Sequence, residues 1–104
     1  MIAERLGVRI LTDPDWKLEQ SVWYGEFEEF GPFILMPAVI PIRLERWAIA
    51  HELGHHMTPG YYHDRRLWEV KADRWAVDTL LQHYAVDEVD WPPHIWGSLQ
   101  GVAA

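Results

Sequence analysis

The chain contains no cysteine, carries only nine lysines and arginines against sixteen acidic residues, and has no long uninterrupted apolar run. Each shortage excludes something. Without cysteine there is neither a disulfide scaffold nor a Cys-ligated zinc site, and the lack suits a reducing, cytoplasmic compartment. A net charge of −7 repels phosphate backbones, which argues against nucleic acid as a direct partner. The single basic cluster, His63-Asp64-Arg65-Arg66, is interrupted by its own aspartate. The longest apolar stretch, Phe33 to Ile42, is broken by Pro37 and Pro41 and falls far short of the roughly 20 residues that span a bilayer. Residues 1–11 include Glu4, Arg5 and Arg9 and so do not form a signal peptide. Internal repeats and low-complexity linkers are also missing. The expectation is one cytoplasmic domain over residues 1–104, with no membrane contact.

What is abundant is tryptophan, seven in 104 residues, within a chain that is 49% hydrophobic and 24% charged. Large aromatics fill a small core efficiently or line an apolar groove. Along the first forty residues the pattern is that of a small sheet. Met1 to Leu6 reads as the tail of a short helix ended by Gly7. Val8 to Leu11 alternates as a strand before the turn signal Asp13-Pro14-Asp15. Ser21 to Tyr24 is β-prone and punctuated by Gly25. Phe33 to Met36, between Pro32 and Pro37, forms a buried or edge strand. About three strands are expected.

From Pro41 the period changes. Leu44, Trp47, Ala48, His51 and His55 fall on one helical stripe, which Pro59 and Gly60 terminate. A second helix opens after Asp64 as N-cap and runs to about Tyr84, with Glu69, Ala72, Asp73, Ala76 and Leu80 on its inner face. Residues 87–97 hold Pro92 and Pro93 and fit a short helix beneath a Trp91–Trp96 contact. The fold class is therefore α+β: a small N-terminal sheet packed on two long helices.

The chemistry lies in His51-Glu52-Leu53-Gly54-His55. Histidines four apart on a helix stand one above the other on the same face and can bind one zinc ion. Glu52 projects alongside, placed to take a proton from a water activated there. A catalytic zinc needs a third protein ligand and an open fourth position. With cysteine excluded, Glu69 is the best candidate, and Asp73, one turn further on, is placed to accept a hydrogen bond from the outer nitrogen of a ligating histidine. Tyr61, Tyr62 and His63, after the Gly60 turn, are candidate donors to an oxyanion or to substrate. His56 and the tryptophans Trp47, Trp68 and Trp75 are assigned to structure. The blander alternatives are a hydrogen-bonded histidine pair on a helix flank and a solvated acidic face at Glu69 and Asp73.

These segments resemble the ImmA/IrrE-type metallopeptidases of bacteria, their mobile elements and phages. Arg43 to His55 looks like that family's Arg-rich lead into Thr-Leu-Ala-His-Glu-Leu-Gly-His. Glu69-Val70-Lys71-Ala72-Asp73-Arg74-Trp75-Ala76-Val77 is similar to its Glu-x-x-Ala-Asn/Asp-x-Phe-Ala-Ala signature. The resemblance covers roughly residues 5–82 and implies a minimal zincin-like fold, with His51, His55 and Glu69 as zinc ligands and Glu52 as general base. It also implies a helix-turn-helix repressor as protein substrate. Thr79-Leu80-Leu81-Gln82 departs from the family's Leu-Leu-Met-Pro helix ending, so the second helix is free to run on. No fused helix-turn-helix domain is expected within residues 1–104, and nothing past Tyr84 maps onto the family. The competing expectation is a zinc-containing regulatory module that grips a transcriptional regulator without cutting it. An extended substrate is expected to add as a strand near Phe33–Met36.

Overall fold

Gly7, at φ +72°, takes a left-handed conformation that a side chain would disfavour, and it turns the first helix into the first strand. Gly7 N–H bonds Glu4 O and Val8 N–H bonds Ala3 O, the paired closure of a Schellman motif. The computed structural model describes residues 2–15, 23–27, 29 and 31–103. Its elements are α1 (Ile2–Arg5), β1 (Arg9–Asp13), β2 (Trp23–Phe27), β3 (Gly31–Pro37), α2 (Ile42–Met57), α3 (Arg65–His83) and α4 (Pro93–Ala103). Single 3-10 turns lie at Pro59–Tyr61 and Val86–Glu88. The architecture is α+β, with a three-stranded mixed sheet. Ser21 and Val22, expected in the second strand, lie outside the described residues.

The strand order is β1-β3-β2, with β1 parallel and β2 antiparallel to β3. This corrects the expected docking strand. β3 is paired on both sides from Phe33 to Leu35, so that stretch offers no free edge for an added strand. The prolines at positions 32 and 37 stand at or next to the ends of β3, where a missing N–H does least damage to the ladder. Ile10, Ile34 and Tyr24 are cross-strand partners and share one sheet face. That face packs with Ala3, Val8 and Trp75 onto Ile49 and Leu53 of α2.

A second cluster joins the helices: Trp47, Ala50, Ala76, Leu80, Val89, Trp91 and Leu99. Trp91 meets Trp47, with ring centroids 5.9 Å apart. Trp96 points outward at 42% exposure, so the anchor of the C-terminal segment is Trp91 on Trp47 and not the expected Trp91–Trp96 contact. Asp64 caps α3 as expected, its carboxylate accepting Leu67 N–H at 3.2 Å. α3 ends at His83 without a proline, and Tyr84 N–H closes the last turn on Leu80 O at 2.8 Å.

Small residues bring α2 and α3 together. A Cβ on Gly54 would meet the Ala72 backbone, 2.8 Å from its Cα and 2.9 Å from its carbonyl carbon, with the carbonyl oxygen nearer still. Ala72 and Ala76 are fully buried along the same seam. Close approach of the two backbones is what allows short side chains from both helices to converge.

Candidate metal centre

α2 carries His51 and His55 on the face turned toward α3, and α3 answers with Glu69 and Asp73. His51 Nε2 lies 3.0 Å from Glu69 Oε2, and His55 Nε2 lies 3.1 Å from Glu69 Oε1. His51, Glu52 and His55 each offer a donor atom within 4.8 Å of the other two, a group that could hold a metal ion. Of the two glutamates, Glu69 touches both imidazoles, whereas the charge on Glu52 is favoured by the backbone N–H of Tyr24 on β2. Three donors at about 2.0–2.1 Å from one tetrahedral ion stand about 3.3 Å apart, which the two His–Glu69 separations approach.

The ring nitrogens strengthen the case. His51 Nδ1 sits 2.8 Å from Asp73 Oδ1. The geometry is that of a close contact without full hydrogen-bond alignment. With its proton on Nδ1, His51 turns the Nε2 lone pair toward Glu69 Oε2, so two acceptors face each other at 3.0 Å. Such a seam needs a cation in it, a proton or a metal ion. His55 Nδ1 is buried without a hydrogen-bond partner. The rest of His55 is held firmly: Trp68 Nε1–H donates to its carbonyl at 3.2 Å, and the two rings meet edge to face at 4.2 Å. Trp47 stacks on His51 at 5.8 Å. Trp47 and Trp68 are therefore part of the wall of the site as well as of the helix packing.

Protonation follows from these surroundings. Burial alone would lower His51, but its Asp73 contact and the charges of Glu52, Asp73 and Glu69 raise its pKa overall. Burial outweighs Glu69 at His55 and lowers it. Burial would raise Asp73, yet its contacts to His51 and His94 bring it below the usual carboxylate range. Burial pushes the Glu52 carboxyl up to about 7, against the opposing pull of His51 and the Tyr24 N–H. In the metal-free state the site thus holds protons that a metal ion displaces on binding.

The remaining candidates lie in or just after the turn between α2 and α3. Tyr61 sits beneath Lys71, with Nζ 5.1 Å from the ring centroid, and Tyr62 and His63 contact each other at 6.0 Å. Tyr62 is 68% exposed. His56 is structural as expected: its Nδ1 pairs with Tyr24 Oη at 2.9 Å, pinning β2 to α2. Burial and the neighbouring Glu26 charge raise the Tyr24 phenol to about 12, so it stays protonated. Two residues escaped sequence reasoning. Tyr24 acts through its backbone, which leaves no trace in residue type. His94, whose Nε2 lies 2.9 Å from Asp73 Oδ2, had a usable signal. A histidine in the first turn of a helix sits badly with the helix dipole when charged, and so suggests an acidic partner.

No protein-family model matches the chain, and neither the curated proteins nor the solved structures contain a match to it. Among the described residues no helix is long and apolar enough to cross a membrane.

Proposed function

We propose that the protein is a zinc-dependent metalloendopeptidase of the ImmA/IrrE type that cuts a helix-turn-helix transcriptional repressor. The observation that carries this reading is the convergence of His51 Nε2 and His55 Nε2 on the Glu69 carboxylate, with Glu52 beside them. Two imidazoles and a carboxylate are a donor set that suits zinc in an open, catalytic site. Zinc at such a site supplies a Lewis acid for the scissile carbonyl and makes water far more acidic.

The chain's own residues supply the rest. Glu69 and the two histidines would hold the ion, and Asp73 stands behind the His51 ring, its Oδ1 2.8 Å from Nδ1. Trp68 clamps His55. The backbone N–H of Tyr24 favours the ionised, proton-accepting form of Glu52. The role of Glu52 is to take a proton from the attacking water and return it to the leaving amine. A site serving structure alone has no use for such a group, and this favours catalysis over a module that only grips its partner. The repressor as substrate rests on the family resemblance, and a compact single-site peptidase would cut it in an exposed or locally unfolded segment.

The test compares the wild type with Glu52→Gln, which keeps size and hydrogen bonding but removes the base. Incubation with a helix-turn-helix repressor encoded beside this chain, followed by mass spectrometry, should give a discrete cut with wild type and a turnover about 10²–10⁴-fold lower with the variant. Equal binding by both proteins with no cleavage by either would favour the gripping module. Equal cleavage by both would place the base elsewhere.

A further inference from the structure

The C-terminal segment sets one more histidine behind the metal-site geometry. Trp91 and Leu99 are buried against Trp47, Ala50, Ala76 and Leu80, and Trp91 Nε1–H donates to Val86 O at 2.7 Å. These contacts fix where α4 begins. Pro92 O accepts the N–H groups of Ile95 and Trp96 at 3.0 and 2.9 Å and sets the first turn. On that turn His94 places Nε2 2.9 Å from Asp73 Oδ2, while Asp73 Oδ1 faces His51 Nδ1 at 2.8 Å. One carboxylate is therefore shared between an exposed imidazole and an imidazole of the site. The outer ring is 64% exposed and the inner one 18%.

We propose that His94 is a positioning residue for the metal centre, pinning the Asp73 carboxylate so that its other oxygen orients the His51 ring. The inference rests on the metal-site reading above. Rotation about the last bond of an aspartate is broad and roughly two-fold, so a single contact leaves the carboxylate loosely held. The inner contact to His51 is short but poorly aligned and does not hold the carboxylate by itself. The outer bond to His94 is well formed, and it holds the second oxygen on the far side. Docking of α4 is in this way connected to the orientation of a ligand on α2. Trp91, which anchors the segment before α4, also packs on the Trp47 ring that stacks on His51.

The test measures zinc affinity by competition with a chromophoric chelator for wild type, His94→Ala, His94→Gln, Asp73→Ala and the double alanine variant. Loss of one net hydrogen bond predicts about a 2–10-fold weaker affinity for His94→Ala. Asp73→Ala should lose about 10–100-fold. Because His94 acts only through Asp73, removing it in the Asp73→Ala background should cost less than about twofold. His94→Gln, which carries an amide N–H donor at a similar reach, should recover most of the loss. Since His94 is exposed, its variants should melt with the wild type. An unchanged affinity in His94→Ala, or losses that multiply in the double variant, would overturn the proposal. If wild type binds no zinc, the metal-centre reading fails, and His94 is then judged on the metal-free protein by NMR of the imidazoles. There, His51 ring signals should shift in His94→Ala, and unshifted signals would refute the positioning role.

Discussion

Gly54→Ala is the substitution on which intuition from sequence and the packing of the fold disagree most. In an isolated helix, alanine for glycine stabilises by about 1 kcal/mol. Here the new Cβ would stand 2.8 and 2.9 Å from the Ala72 Cα and carbonyl carbon, with the Ala72 oxygen closer still. Carbon atoms pack at about 3.5–4.0 Å, so α2 and α3 must separate by about 1 Å at that point. The three nearest obstructing atoms all belong to the α3 backbone, which cannot swing away as a side chain would. Overpacking of this kind typically costs about 1–3 kcal/mol or more, enough to overtake the propensity gain. For a domain this size each net kcal/mol lowers the melting temperature by about 4–8 °C. Function should suffer more than stability. Gly54 lies between His51 and His55, and the same displacement would stretch the 3.0 and 3.1 Å separations to Glu69 well past tetrahedral spacing. Thermal unfolding followed by circular dichroism, with zinc titration of the same samples, reads both effects. A Gly54→Ala protein at least as stable as wild type, with unchanged zinc affinity, would refute the close helix contact and the site built on it.

Wild type should bind about one zinc per chain by elemental analysis, and either His51→Ala or His55→Ala should abolish that stoichiometry while the protein stays folded. The metal-free protein should lose stability as the pH rises from 6.5 to about 8. In that range the raised Glu52 and His51 bind protons more tightly folded than unfolded, while the lowered His55 acts mainly below 6.5. Glu52, at about 7 folded against 4.5 unfolded, contributes about 1 kcal/mol of that fall. Glu52→Gln should flatten the profile by that amount in urea melts at several pH values, and an unaltered slope would discount the burial of Glu52. Asp64→Ala should cost about 1 kcal/mol through loss of the α3 cap, seen as a lower urea midpoint with unchanged zinc stoichiometry.

Much of this protein could be read from local pattern, because helices and their caps are local objects. The placement of His51 and His55 one turn apart follows from helical geometry alone. So does the inward stripe of Ala72, Ala76 and Leu80, and Asp64 announces the start of α3 by residue type. Glu69 and Asp73 were legible because they share a helix face with that stripe. The strand order was not legible. Prolines flanking Phe33–Met36 left it open between a buried and an edge strand, and β3 is the central one, since register and neighbour choice are settled by what each face buries. Beyond reach, too, were the contacts that finish the site. The Tyr24 phenol meets His56 across 32 residues and His94 meets Asp73 across 21, while the Tyr24 N–H on Glu52 is a backbone donor that any residue type would supply. Pairings of that kind have no period and no composition. They exist only because the sheet–α2 core, the Gly54–Ala72 seam and the Trp47–Trp91 contact bring β2, α2, α3 and α4 to one place.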